Sequence, residues 1–482
     1  MDKYIMDKYV MKFKFIIMET QKIIEKILSD VRYWEFRTIS GETNGISLWN
    51  GKIHNIGNAA TSSFSIRVLF KNGWGFASSS LPYDIRSIGD VTTDSIENIA
   101  KIALKNAKIS HRFSKRDIKI RTEIAINDSV QTNVKILPSD IPLDKKINLL
   151  FEYDKRINDN RIKSKFFSYS DVGSEKKFMN SEGSEIKQKE AKVIVGTEMM
   201  AEEGDKRETN FSKHAKTAGF ETTDNFEEEV DKVAKDVIKM LNGKNVQGGN
   251  FPIVADGDLT GVIIHEALGH AAEGDAIIQG ESCLENLIKK KISASINVVD
   301  DPTIDGMFGS FFYDDEGIKA GKKYIIKNGI LENFLNSRET AATLGNGNEP
   351  GNARAQGNSI PLVRMSNTFI EPQDYESDEM LSEIKDGFYL KGSRGGEVDI
   401  TKGTFQFYAK ECYKIKNGEI GKVLKGVSLI GNIFDVLNNI DAVGKKKYDA
   451  LSPGMCGKGG QDVPVDGLNP PVRIRNVMIG ST

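Results

Sequence analysis

The chain has 482 residues, 39% hydrophobic and 28% charged, with 66 Lys and Arg against 68 Asp and Glu and a formal net charge of −2. At about 150 residues per domain, that length gives two or three domains, each able to bury its own core. The even charge balance offers no electrostatic reason to expect nucleic acid or an anionic membrane as the main partner. With only 3 Cys there is no disulfide framework, so a reducing, cytoplasmic setting is expected. No apolar run approaches the ~20 residues that span a bilayer.

Residues 1–18 hold Met1, Met6, Met11 and Met18 among interleaved charges, without a signal-peptide core. They read as a ragged extension, with the folded chain starting near Met18. From Glu19 the spacing of Ile23, Ile24, Ile27, Leu28 and Val31 predicts a helix. Strands follow at 46–49 and 52–56 around Asn50-Gly51, and at 64–70 and 74–77 around Asn72-Gly73. Asn-Gly between apolar segments is a strong hairpin signal, because both residues tolerate positive φ. Helices are expected over 93–107, 143–157 and 225–241, and antiparallel segments at 166–171, 176–180 and 192–197. The Gly-rich run 243–250 is the best boundary. It separates an N-terminal α+β domain at 19–242, with a break near 120–142, from a β-rich C-terminal domain at 251–482. That domain opens with one conspicuous helix and carries further turns at Asn328-Gly329 and Asn417-Gly418. Helices and hairpins in blocks, without βαβ alternation, predict an α+β fold.

The conspicuous helix holds the chemistry. Of 5 His in the chain, His265 and His270 fall within six residues, with Glu266 beside the first. Neutral imidazoles suit Zn²⁺, and a catalytic zinc takes three protein ligands plus a water whose pKa it lowers towards ~7. Glu266 could then act as general base. The spacing is awkward, since residues five apart lie about 140° apart around an α-helix. A π-bulge would bring both onto one face, and Gly269 would make such a distortion cheap. Glu273, Asp275 and Cys456 all remain open as third ligand. Cys456 lies in the Gly-rich stretch 452–461, which lacks the Ser/Thr of a phosphate loop after Lys458. Cys283 and Cys412 read as buried small hydrophobes. Asp300-Asp301 and Asp314-Asp315-Glu316 read as turn and cap residues rather than a second cation site. Arg338, Arg354 and Arg394 are candidates to clamp a peptide carboxylate or an oxyanion.

HEALGHAAEGD at 265–275, DDP at 300–302, DDEG at 314–317, GNARA at 351–355 and GMCGKGGQ at 454–461 resemble the TldD/PmbA family, TldD branch. GISLWNGKIHNI at 45–56 and FSIRVLFKNGWGFAS at 64–78 resemble its N-terminal hairpins. The resemblance implies a zinc metallopeptidase with one zinc per chain, held by His265, His270 and Cys456, and with Glu266 as catalytic base. It implies short or unfolded peptide substrates, taken up as an added β-strand. It also implies a homodimer, or a heterodimer with a paralogous PmbA/TldE-type subunit lacking HExxxH. A thiolate ligand would lower the Lewis acidity of the zinc and expose the site to oxidation, which a reducing cytosol tolerates. The competing reading is a non-catalytic peptide-binding subunit of a larger complex.

Overall fold

The computed structural model describes residues 19–80, 93–345, 347–445 and 453–481, so the extension at 1–18 lies outside the described residues. A helix over 19–27 (α1) buries Ile24, and Leu28, the residue after its end, is buried beside it; both belong to the predicted stripe. Strands β1 (Tyr33–Trp49), β2 (Lys52–Phe70) and β3 (Gly73–Ser80) follow as a meander. They outrun the apolar segments because the polar stretches between those segments continue the ladder, from Tyr33↔Leu69 to Trp49↔Lys52. Asn50 and Gly51 take φ of 46° and 70°, the positive pair a type I′ hairpin requires.

The second hairpin is shifted by one residue from the expected position. Its loop residues are Lys71, at φ 49°, and Asn72, while Gly73 already belongs to β3. Gly73 provides room. A Cβ there would come within 2.3 Å of the Ala107 carbonyl oxygen, because α2 (Thr93–Phe113) lies directly on β3.

Next come β4 (Asn127–Gln131), α3 (Leu143–Arg156), β5 (Ile162–Asn180), β6 (Glu185–Glu203), β7 (Lys206–Lys216) and α4 (Phe226–Met240). The expected segments 166–171 and 176–180 are one strand, β5, paired without interruption to β1 and β6 through Gly173. The sheet order is β3-β2-β1-β5-β6, with β4 parallel and β7 antiparallel to β6. α2 buries Ala100 and Ala103 against Ile66 and Val68, while α3 and α4 bury Leu150, Val230 and Val237 against Phe167 and Val195.

The C-terminal half begins with β8 (Gly249–Ala255) and α5 (Gly257–Ile263), followed by α6 (Gly274–Gln279). A small sheet of order β11-β10-β9-β14 joins β9 (Val298–Asp300), β10 (Lys323–Lys327), β11 (Ile330–Leu331) and β14 (Thr368–Ile370). α7 (Arg338–Leu344) and the hairpin of β12 (Ala353–Arg354) and β13 (Leu362–Val363) lie between them in the chain. After α8 (Ser377–Ser382) come β15 (Asp386–Asp399), β16 (Thr404–Lys416), β17 (Glu419–Leu424) and β18 (Val427–Asn432). The chain ends with α9 (Ile433–Asn439), β19 (Ile440–Val443), β20 (Gly454–Lys458), β21 (Gln461–Val465) and β22 (Val472–Ser481).

Strands β15-β8-β22-β18-β16 form a sheet that closes on itself, because β16 also pairs with β15. Its interior side chains, Ile253, Leu390, Phe407 and Ile474, pack with Leu259, Ile263 and Leu268 of the helical segment after β8. The fold is α+β, with a β-rich C-terminal half that carries more short helices than the single one expected. Ion pairs pin the two halves together, among them Arg67 to Glu316 at 2.5 Å and Arg338 to Glu182 at 2.6 Å. Among the described residues no helix is long and apolar enough to cross a membrane.

Candidate metal centre

Asp256 caps α5, its carboxylate accepting from the Leu259 amide at 2.9 Å. The next turn, Ile264–Gly269, is π-helical, and the His270 amide donates to the His265 carbonyl, five residues back. That wider turn solves the spacing problem set by His265 and His270, whose ring centroids stand 5.1 Å apart. Gly269 helps in a different way from the one expected. Its φ of −59° and ψ of −52° are ordinary helical values. What the position demands is space, since a Cβ would sit 2.0 Å from the sulfur of the buried Met365.

Cys456 arrives on β20, one arm of a hairpin with β21 that turns at Gly459 and Gly460, where φ is 58° and 74°. Within the Gly-rich stretch, Gly454–Lys458 is therefore a strand. Arg364, fully buried, donates through Nη2 to the Cys456 carbonyl and through Nη1 to the Gln461 carbonyl at 3.1 Å, fixing the hairpin beneath the helix.

The ligand atoms of His265, His270 and Cys456 all lie within 4.8 Å of one another. Cys456 Sγ is 3.4 Å from His270 Nε2. Burial raises the thiol pKa, but hydrogen bonds and charge from His265 and His270 outweigh it and bring the thiol down to about 5. Two imidazoles and a ready thiolate form a donor set suited to zinc.

The neighbouring carboxylates have other tasks. Glu273, nearly fully buried, places Oε2 3.4 Å from His270 Nδ1 and takes a 2.8 Å hydrogen bond from Lys458 Nζ. Lys458 also donates to both oxygens of Asp275 at 2.8 Å. Neither acid joins the cluster of ligand atoms. Glu266 lies on the other side, with Oε2 3.8 Å from His270 Nε2 and its side chain partly exposed. It lines a pocket of about 120 Å³ together with His265, Thr368, Met455 and Asp466. Burial pushes the Asp466 carboxyl up to about 6, against the amides of Phe308 and Gly467 that bond to it.

The three arginines go separate ways. Arg338 is fully buried between the halves, donating to Glu182 and to the Arg121 carbonyl and stacked over Tyr33, and it lines neither pocket near His265, His270 and Cys456. Arg394 donates to the Thr209 carbonyl. Arg354 is buried beside a cavity next to the β20–β21 hairpin. Asp314 is the turn residue expected, accepting from the Glu316 and Ile318 amides, whereas Asp300 is neither turn nor cap: it ends β9 and accepts from Ser366 and Thr368. Cys412 is buried in the core as expected, whereas Cys283 is only half-buried against it.

Lys458, Arg364 and Asp466 were missed as site residues. Lys458 was detectable, since residues two apart on a strand share a face and Cys456 was already singled out.

Three family models cover the chain: PmbA/TldA metallopeptidase domain 1 at 34–107, the central domain at 136–243 and the C-terminal domain at 248–481. A metalloprotease of Methanocaldococcus jannaschii is 40% identical over 92% of this chain and 96% of its own. A zinc metalloprotease TldD homolog of Saccharolobus solfataricus is 30% identical over 86% of this chain and 89% of its own. In fold, the chain is similar to TldE from Thermococcus kodakarensis, with a TM-score of 0.73 at 17% identity, covering 95% of this chain and 99% of that one. By these matches along nearly its whole length, the chain belongs to the PmbA/TldD metallopeptidase family.

Proposed function

We propose that the protein is a zinc-dependent peptidase acting on short or unfolded peptides, with one zinc ion held by His265, His270 and Cys456 and with Glu266 as general base. The observation that carries this reading is the convergence of two imidazoles and a low-pKa thiol within 4.8 Å, beside a partly exposed glutamate. Bound there, zinc would supply Lewis acidity to the scissile carbonyl and lower the pKa of the attacking water. The chain's own residues do the rest. Glu266 takes the proton from that water, holds it in the pocket it shares with His265, and delivers it to the leaving amine. Glu273 keeps the His270 ring oriented through Nδ1, and Lys458 keeps Glu273 charged in a buried setting. The reading extends to a cytoplasmic two-subunit assembly, with a second copy or a PmbA/TldE-type paralogue as the other subunit.

The test counts zinc per chain in wild type, Cys456→Ala and Glu266→Gln, and follows cleavage of a mixed peptide pool. Wild type is expected to hold one zinc and Cys456→Ala markedly less. Glu266→Gln should keep its zinc yet lose about 10²–10⁴-fold in turnover. Equal zinc in wild type and Cys456→Ala would remove the thiolate from the ligand set, and full turnover by Glu266→Gln would remove the base.

A further inference from the structure

Met455, the neighbour of Cys456, borders two spaces at once. One is the 120 Å³ pocket of His265 and Glu266, and the other is a cavity of about 290 Å³ between the N-terminal sheet and the β20–β21 hairpin. The larger cavity is walled by Ile39, Val172 and Ile194 of the sheet and by Phe311 and Val463 opposite, so most of its lining is apolar. Its charged groups are unevenly satisfied. Lys192 closes on Glu190 at 2.6 Å, and Lys176 stands 3.6 Å from Asp315. Both Asp314 oxygens already accept backbone amides, from Glu316 and Ile318 on one and from Ala353 on the other.

Arg354 differs from these. It is 7% exposed and lines the cavity; Nη1 donates to the Met365 carbonyl at 2.6 Å and the guanidinium stands 5.2 Å from the Phe311 ring centre. Among the described residues it has no ion-pair partner; Asp315 and Asp300 act on it only from a distance, and burial holds its pKa below the ordinary arginine value. A guanidinium stays charged whatever its surroundings, and a buried charge without a counter-ion is costly. Both lysines already face carboxylates of the lining, which also includes Asp462. Among the described residues, a carboxylate entering the cavity would therefore meet Arg354 as its one unpaired cationic donor, a planar group suited to bidentate recognition.

We propose that this cavity is a subsite for a peptide carboxylate, held by Arg354, one step beyond the pocket that contains Glu266. The proposal rests on the peptidase reading above. An extended peptide with its scissile bond near Glu266 runs past Met455 and carries either its C-terminal carboxylate or an Asp or Glu side chain into the cavity, at about 3.3 Å per residue.

The test uses zinc-loaded wild-type protein and random short-peptide libraries in four versions, with or without Asp and Glu, and ending in a free carboxylate or an amide. Total cleavage is read by mass spectrometry. The library with no carboxylate is expected to be cut at least about tenfold more slowly, because it leaves a buried donor unpaired. Fast cleavage of the acid-ended library without Asp and Glu assigns the subsite to the C-terminus. Fast cleavage of the amide library with Asp and Glu assigns it to side chains. Arg354→Gln should remove the preference by slowing the carboxylate-bearing libraries, and the wild-type comparison stands even if that variant does not fold. Equal rates on all four libraries, or a preference that persists in folded Arg354→Gln, overturns the subsite while leaving the peptidase reading intact. Cleavage of none of them by zinc-loaded wild type overturns both.

Discussion

His270 Nδ1 lies 3.4 Å from Glu273 Oε2, and the same oxygen accepts from Lys458 Nζ at 2.8 Å. A carboxylate on one imidazole nitrogen fixes the proton there and leaves the other free, and His270 Nε2 faces Cys456 Sγ at 3.4 Å. Burial alone would raise the Glu273 pKa, but the hydrogen bond and charge of His270, together with Lys458, hold it below the usual glutamate value. Glu273→Gln keeps the shape, removes the charge and leaves Lys458 with Asp275. Zinc affinity is expected to fall about 10–100-fold, measured by competition with a chelator. Unchanged affinity would mean that Glu273 does not orient the ring.

Gly269 tests whether the π turn depends on room or on backbone freedom. Its helical φ and ψ are available to alanine, so Gly269→Ala should suffer only from the collision with Met365 Sδ. Overpacking of this kind costs about 1–3 kcal/mol. Urea unfolding should register that loss, and adding Met365→Ala should recover part of it. A loss that Met365→Ala leaves untouched would point to the backbone.

Arg338 separates a structural role from the clamping role its sequence suggested. Its side chain is fully buried, and it joins α7 to Glu182 and to the Arg121 carbonyl on the N-terminal side. Removing one partner of such a pair costs about 3–5 kcal/mol. Arg338→Gln is therefore expected to lower thermal stability by that order while zinc per chain stays unchanged. Unaltered stability with a raised KM for peptides would instead restore contact with substrate.

What was readable in the sequence follows from distance along the chain. Asn50-Gly51, Asn328-Gly329 and Asn417-Gly418 encode their turns locally, and all three take paired positive φ. The spacing of His265 and His270 demanded a wider turn, and the π segment 264–269 supplies it. Long-range packing was not readable. The shift of the second hairpin depends on α2 pressing on Gly73, and the merging of 166–180 into one strand depends on β1 and β6 pairing through Gly173. Arg364 holds the carbonyl of Cys456 from 92 residues away, a contact no local pattern announces.

Asp256 ties the site helix to pH. Its carboxylate caps α5 and also accepts from the Gly392 amide, yet burial and then the charge of Asp258 raise its pKa to about 7. In an unfolded chain the same group titrates near ~3.9. Between these values the native state binds the extra proton, so stability falls as pH rises. The advantage of the protonated form is complete below about 4 and gone above about 7. Asn at this position keeps an acceptor for the Leu259 amide and carries no charge to desolvate. With zinc saturating in both proteins, wild type should lose more stability than Asp256→Asn between pH 5 and pH 8, as read from paired urea titrations. Parallel losses in the two proteins would show that Asp256 is ionised throughout and that its burial is compensated by the amides it caps.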